Sequence, residues 1–590
     1  MKKYFSLFLL IFLFSCQKKE KSQEINILFK ADIQHLIQDV DQLQTAIVTN
    51  QSPLKLQSQF LKTHQNYKGI EMLTEYYFPS VAKAVNGPAI PEFEENDGKV
   101  IAPEGFQVIE ELLFPVYEKQ SKDELLKQIG ILNANLKRIQ KTAATNTLTD
   151  AHVFDAMRLE VFRIMTLGIT GFDSPIAKNS IAEAIPALQS IQKYFKVYAE
   201  NKKDRTATLV LKTIEDGIKS LKRNTDFDSF DRASFILNTA NPLSRSLYQA
   251  QMKLGIPVFK EVRGLRTTAQ TLFDKEVFDP EAFSGFPDYK TTPEKIALGK
   301  LLFKDPVLSG DNSRSCASCH HADKAFTDGM EKAVSFDGNA FVERNTPTLK
   351  NIAFQRAFFA DSKVNYLEDQ AVAVITNKQE MHGDMEAAAL KIKTNKDYVA
   401  RFKNAFPANG INAFAIKNAL GSYIRSLSNY DSKFDRYMRG ELTFTADEKA
   451  GFNLFSGKAK CASCHFIPLI NGTVPPHFDR SESEVLGVPN KNNVLDVDLG
   501  KYAITKAAIH KYSFKTPTIR NVELTAPYMH NGVFKTLEEV IDFYNEAGGE
   551  GLGFKLDNQT LPTDKLNLTS LEKKQLTVFM RTLTDLIREK

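Results

Sequence analysis

Two pentapeptides, Cys316-Ala317-Ser318-Cys319-His320 and Cys461-Ala462-Ser463-Cys464-His465, constrain this chain more than any other part of it. Two thiols three residues apart at a helix start can each add to one vinyl group of a haem, and the adjacent histidine then reaches the iron from the same side. Cys-x-x-Cys-His is the attachment pattern of c-type haem. With 5 Cys and 10 His in 590 residues, chance supplies such a pentapeptide roughly 0.0007 times in a chain of this composition. Two copies are not accident. A four-Cys zinc site would leave both histidines without a role, and thioredoxin-like redox pairs need a βαβ setting that is missing here. Two covalent haems are therefore expected, on Cys316 with Cys319 and on Cys461 with Cys464, with His320 and His465 as proximal iron ligands. Cytochrome c units are small helical folds whose core is largely the haem itself.

The fifth cysteine speaks to compartment. Lys2 and Lys3 precede an apolar stretch from Tyr4 to Phe14, then Ser15 and Cys16. A basic start, a short apolar core and a small residue before the cleavage point describe a secretory signal. Leu13-Phe14-Ser15-Cys16 resembles the bacterial lipoprotein box, in which the cysteine is acylated and becomes the first residue of the mature protein. A plain signal peptide with a chance cysteine is the alternative. Residues 1–22 then form signal and tether, and the protein is expected outside the cytoplasm, on the periplasmic side, held to a membrane by lipid alone. No apolar run reaches the roughly 18 residues of a spanning helix. The 76 Lys and Arg against 71 Asp and Glu leave +5, too mild over this length to imply nucleic-acid binding.

From Ile25 to about Leu254 the pattern is helical. Phe29, Ile33, Leu36, Ile37, Val40, Leu43 and Ile47 recur at three- and four-residue steps and give one apolar face. Similar patterns occupy 123–142, 152–167, 180–200, 205–222 and 229–254, and no alternating strand pattern competes. Residues 23–256 are expected to form a helical bundle. Gly264, Pro280, Gly285 and Pro287 mark 257–292 as a connection. An internal repeat follows: Arg344-Asn345-Thr346-Pro347-Thr348-Leu349-Lys350-Asn351 after the first haem motif, Lys515-Thr516-Pro517-Thr518-Ile519-Arg520-Asn521 after the second. Leu302-Phe303 and Leu454-Phe455 precede them. Two copies of one haem-binding unit, 293–440 and 441–590, are the economical reading. The fold class is mainly α: a helical bundle followed by two cytochrome c-like domains. Within the bundle, Pro103-Glu104-Gly105-Phe106-Gln107-Val108-Ile109-Glu110 faintly resembles the Gly-x-His-x-x-Glu segment of imelysin-like domains, with Gln107 where that family has His. The competing reading makes Glu110 a solvated helix residue.

Residues 290–590 resemble the bacterial di-haem cytochrome c peroxidase and MauG family. The resemblance rests on Leu298-Gly299-Lys300-Leu301-Leu302-Phe303, Leu308-Ser309-Gly310-Asp311, both haem motifs, Arg344-Asn345-Thr346-Pro347-Thr348-Leu349, Leu367-Glu368-Asp369-Gln370, Glu380-Met381 and Thr525-Ala526-Pro527-Tyr528-Met529-His530-Asn531-Gly532. It implies that the first haem is the peroxidatic site and the second passes electrons to it. By motif position Gln370 and Glu380 match the family's distal pair, with Glu380 as the acid–base group. Cleaving an O–O bond needs such a base beside an open iron face.

Many members carry a second histidine ligand between the first haem motif and the Asn-Thr-Pro segment. Here no His occurs between His321 and His382, and Phe336 occupies that neighbourhood. A permanently open first haem, as in MauG-type members, is expected. The chain has no Trp, and Ala360 of Phe358-Phe359-Ala360-Asp361 stands where the family places the tryptophan relay between haems. Phe359, Tyr366 or direct tunnelling would replace it. The family's calcium ion is matched by Asn345 through its side chain and by Thr525 and Pro527 through backbone carbonyls, hard oxygen donors that suit this cation.

For the second haem's sixth ligand, Met529 and Tyr544 compete. Tyr544 falls at the family position that holds Met in peroxidase-type and Tyr in MauG-type members. Thr536 with Glu539 reads as a helix cap, and Leu537, Val540, Ile541 and Tyr544 share one face. The implied function is an extracytoplasmic peroxidase that reduces hydrogen peroxide with electrons from a small cytochrome or cupredoxin. A MauG-type oxidase of a protein or organic substrate, and a non-enzymatic di-haem carrier or sensor, are the alternatives.

Overall fold

The computed structural model describes residues 21–94, 97–200 and 204–585; the acylation signal read at Cys16 lies outside them. The first element among the described residues is the helix Lys21–Val48, which buries Phe29, Ile33, Leu36, Ile37, Val40, Leu43 and Ile47. That stripe packs on Pro53–Lys68 and Lys122–Thr145. Asp150–Arg163, Ser180–Tyr198, Arg205–Arg223 and Asn241–Lys253 are the bundle's other long helices, with Glu71–Tyr77, Pro79–Asn86, Phe106–Leu113 and Arg232–Phe235 as short ones between them. Its helices start where capping chemistry allows: Thr149 accepts from the His152 amide, and Asp204 accepts from those of Thr206 and Ala207. Among the described residues no helix is long and apolar enough to cross a membrane.

One expectation needs correcting. The bundle contains an antiparallel hairpin, Glu92–Glu94 with Lys99–Ile101, in register Glu92↔Ile101 and Glu94↔Lys99. Strands of three residues are too short to show an alternation in the sequence. The hairpin reaches away from the bundle, with the Phe93 ring edge-on to His510 at 5.4 Å.

The two haem units repeat one packing device. Helix Pro293–Lys304 crosses Ala413–Arg425, and Ala446–Phe455 crosses Ser570–Arg581. Each crossing is made at a glycine. A Cβ on Gly299 would lie 2.0 Å from the Ala419 carbonyl oxygen, and one on Gly451 2.0 Å from that of Gln575. The repeat is thus Gly-x-x-Leu-Phe, and the helix backbones touch because no side chain separates them. The repeated asparagines also converge: Asn351 and Asn521, both with positive φ, donate to the Asp585 carboxylate at 3.4 and 3.1 Å.

Two large apolar cores are built among the described residues. Leu298, Leu302, Phe303, Leu349, Phe402 and Leu420 form a core private to the first haem unit. A second, continuous core runs from the bundle through Leu272, Phe273 and Phe278 of the connection into Phe434, Phe452, Phe455 and Phe579 of the second unit. The changeover between the cores falls between Leu427 and Tyr430. Polar contacts stitch the same seam: the Ala233 amide donates to Asn453 Oδ1 at 3.0 Å, and Asn241 Nδ2 donates to the Met438 carbonyl at 3.0 Å.

Candidate haem sites

In each attachment motif the cysteines open a 3-10 turn, Cys316–Ser318 and Cys461–Ser463, and the histidine amide closes back on the first cysteine's carbonyl at 3.0 and 2.9 Å. The turn places both thiols and the imidazole on one side. His320 Nδ1 donates to the Phe326 carbonyl at 2.8 Å, which leaves Nε2 with a free lone pair, the tautomer an iron ligand needs. Desolvation lowers the His320 pKa and brings that of His465 to about 4, so both rings are neutral donors at neutral pH. His465 Nδ1 is buried without a well-formed hydrogen bond, with the Pro517 backbone as the group acting on it. Desolvation likewise pushes the Cys316 and Cys461 thiols up to about 12. Two free cysteine pairs, each with a neutral histidine and set against apolar neighbours, fit two covalent haems.

The Thr-Pro-Thr repeat buttresses these histidines. Thr348 Oγ1 donates to the Ala325 carbonyl at 2.5 Å and Thr346 Oγ1 to Asp328 at 2.8 Å. They hold the loop whose Phe326 carbonyl orients His320. In the second unit the Ile519 amide donates to the Ile470 carbonyl at 3.0 Å, pinning the equivalent loop.

Gln370 lies on the helix Leu367–Thr376, buried, with Oε1 lacking any protein partner. The buried pair of Glu368 with Arg425, at 2.6 Å, anchors that helix to Ala413–Arg425. Glu380 follows in a tight turn: the Asn377 carbonyl accepts from the amides of Glu380, Met381 and His382, and Asn377 Nδ2 donates to Glu380 Oε1 at 2.7 Å. Desolvation raises the Glu380 pKa, against the Asn377 hydrogen bond and the charges of Lys363 and Arg314. Glu380 and Arg314 both act electrostatically on the Cys319 thiol, so this distal turn stands by the first attachment motif. Phe336 is there too. Its amide donates to the Gln379 carbonyl at 2.7 Å and its ring meets His382 edge-on at 5.5 Å.

Tyr544 is the last residue but one of Leu537–Asn545, a helix with a reciprocal Thr536–Glu539 capping box. Desolvation raises its phenol pKa, and the neighbours that act on it are Cys464, Cys461 and Glu484. Met529 instead lies in a turn closed by the Tyr528 amide on Phe534, and the adjoining His530 carbonyl accepts from the Asn345 amide at 2.7 Å. That turn therefore faces the first haem unit. It also brings Asn345 to the segment containing Thr525 and Pro527, and the Asn345 Nδ2 donates to Met330 and Glu331 carbonyls.

At the position of the missing tryptophan, the Ala360 carbonyl accepts from the Lys515 amide at 2.8 Å. Lys515 leads directly into Thr516-Pro517 below His465. Its ammonium bonds to Gln355, and desolvation lowers its pKa to about 8. Phe359 lies under the Lys363 ammonium at 4.0 Å, and Tyr366 packs on Phe286. Sequence reasoning named these aromatics and missed Lys515, whose place on the repeat just ahead of Thr-Pro was the available signal.

The solvated reading of Glu110 is overturned. It is fully buried and accepts from Ser174 Oγ and the amides of Ile176 and Ala177, while Gln107 donates to the Asn86 carbonyl. Burial pushes the Glu110 carboxyl up to about 7. Among the described residues no group of three His, Cys, Asp or Glu side chains is arranged to hold a metal ion. Glu110 ties down the loop that puts the Phe172 ring 5.8 Å from Phe466, beside the second haem motif.

Paired attachment motifs, neutral proximal histidines and a carboxyl beside the first motif fit a di-haem c-type redox protein. Residues 293–443 match the family model for di-haem cytochrome c peroxidase. A cytochrome-c peroxidase of Denitromonas iodatirespirans is 33% identical over 324 residues, covering 52% of this chain and 84% of the relative. The methylamine utilization protein MauG of Methylorubrum extorquens is 36% identical over 294 residues, covering 50% and 78%. A crystal structure of a MauG-like protein associated with microbial copper homeostasis superposes with a TM-score of 0.44 at 31% identity, covering 50% of this chain and 91% of that one. The chain belongs to the di-haem cytochrome c peroxidase and MauG family.

Proposed function

We propose that this protein is an extracytoplasmic di-haem peroxidase that reduces hydrogen peroxide to water with electrons from a small cytochrome or cupredoxin. Glu380 carries the reading. It is a desolvated carboxyl beside the first attachment motif, and Phe336 stands in the sequence interval between that motif and Asn345-Thr346-Pro347 where a second histidine ligand would be sought. The haem, when bound, supplies a redox-active iron with an open position for peroxide. The rest falls on the chain. His320 would hold that haem from the proximal side, its tautomer set by the Phe326 carbonyl. Glu380, as carboxylate, takes a proton from one peroxide oxygen and returns it to the other, so that the departing oxygen leaves as water. Gln370, with its unpaired buried oxygen, orients the bound peroxide. Two electrons and two further protons complete the conversion of one peroxide to two waters.

Turnover of hydrogen peroxide with a reduced cytochrome tests this reading, and oxidation of a protein partner without cytochrome consumption favours the MauG-type alternative. Tyr544 against the second cysteine pair favours that alternative; Ala360 in the relay position counts against it. A pure carrier has no use for a carboxyl at an open first haem. Acylation at Cys16 would place the chain on the periplasmic side of a membrane.

We further propose Tyr544 as the sixth ligand of the second haem. A phenolate is a hard anionic donor that favours ferric iron and lowers the potential. One ferric spectrum addresses both haems: a high-spin component from the open first haem, and no methionine-ligand band in the near infrared. A fully low-spin spectrum rules out the open haem; a methionine band that disappears only in Met529→Leu rules out Tyr544.

Asn345, Thr525 and Pro527 are the proposed calcium donors. Metal analysis should find one calcium per chain, and its removal by chelator should lower the melting temperature of the seam between haem units. No bound calcium in protein purified without chelator refutes it.

A further inference from the structure

We propose that Arg314 is the positioning residue of the peroxide site, acting through Glu380; this rests on the acid–base reading of Glu380. Arg314 stands two residues ahead of Cys316. Its guanidinium donates from Nη1 to the Val334 carbonyl at 3.0 Å and to the Glu380 carbonyl at 3.0 Å, and from Nη2 to the Ser335 carbonyl at 3.1 Å. Among the described residues it forms no ion pair; its donors serve backbone. Three carbonyls from two segments more than forty residues apart in sequence are thus gathered on one side chain.

Only a planar fork can do this. A lysine ammonium is a compact donor that cannot span both nitrogens' positions. The guanidinium carbon also lies 5.8 Å from the Phe336 ring centre, so the same group backs the residue standing in the ligand neighbourhood. Arg314 is itself pinned: its amide donates to Ser309 Oγ at 3.2 Å, and the neighbouring Gly310 amide donates to the Met381 carbonyl at 3.0 Å. A closed circuit results, from the haem-attachment segment through Arg314 to the Glu380 turn and back through Gly310. The position of the acid–base group is thereby locked to the position of the haem that the same segment carries.

The test uses the di-haem holoenzyme, with Arg314→Ala and Arg314→Lys made in the native and the Glu380→Gln backgrounds. A displacement near 1 Å at a catalytic group costs about 10²-fold in rate, so Arg314→Ala should lower kcat by about that much in the native background. In Glu380→Gln the same change should cost less than about twofold, because the group it acts through is gone. Lysine should recover little. Hydrogen exchange supplies a readout independent of activity: amides of 377–383 and of Phe336 should lose protection in both variants. Equal cost in the two backgrounds, or unchanged exchange, overturns the proposal. If Arg314→Ala fails to load haem, Arg314→Lys decides alone by the same two criteria. A Glu380→Gln enzyme with native kcat sinks the acid–base reading instead, and exchange still decides whether the clamp exists.

Discussion

Glu380→Gln is expected to lower kcat for hydrogen peroxide by about 10²–10⁴-fold while both haems remain attached. The amide is nearly isosteric, and its oxygen can still accept from Asn377 Nδ2, as the carboxylate does at 2.7 Å. Only the proton shuttle is removed. The pH dependence has a definite sign. Desolvation raises the Glu380 pKa, and the opposing influences of Asn377, Lys363 and Arg314 do not cancel it. The shuttle needs the carboxylate, so native kcat should fall as pH drops through a value above the ordinary carboxylate range of about 4. The variant should lose that acid limb. A variant with native turnover, measured with reduced cytochrome in excess, would remove Glu380 from the mechanism.

A comparable loss, in stability, is expected at the base of the second haem unit. Arg520 is fully buried and pairs with Asp435 through both nitrogens at 2.9 and 2.7 Å, while Nη2 also donates to the Pro468 carbonyl. The Tyr430 ring lies 4.2 Å from the guanidinium. Burial pushes the Asp435 carboxyl up, but the Arg520 charge and the Ser432 hydrogen bonds hold it below its ordinary value. Its contribution to stability is therefore present above the unfolded carboxylate pKa of about 4 and lost as pH falls through the lower folded value. Arg520→Met leaves a buried, unpaired carboxylate and should destabilise the unit by about 3–5 kcal/mol, seen as a lower melting temperature. In this variant the sign reverses: stability should fall as pH rises, because Asp435 must then ionise without a partner. The double variant Arg520→Met, Asp435→Leu should recover most of the loss. A single variant that melts with the native protein would show that the pair contributes nothing.

What the sequence carried and what it did not differ by the range of the interactions. The helix Lys21–Val48 was legible because its seven apolar positions repeat at the helical period. The capping box of Thr536 and Glu539 was legible because it closes within four residues. The haem motifs and the Thr-Pro-Thr repeat announced their own chemistry. Arg314 did not, since its three acceptors are backbone carbonyls, which no residue type marks. Nor did Gly299 and Gly451: their role depends on which helix crosses there, and a lone glycine in a helical pattern is ambiguous. Glu110 was misjudged because its partners lie on the Ser174–Ala177 loop, more than sixty residues away.

The core shared between the bundle and the second haem unit imposes an order on biogenesis. Synthesis delivers the bundle first, yet the apolar surface meeting Phe434, Phe452 and Phe579 stays uncovered until the whole first haem unit has been made and passed. The first unit, with its private core, is in effect an insert that can mature alone while the bundle waits. An early-terminated chain ending after that insert would carry one complete haem unit and one adhesive bundle face. Ser570–Arg581, the last helix among the described residues, adds Leu576, Phe579 and Met580 to that shared core.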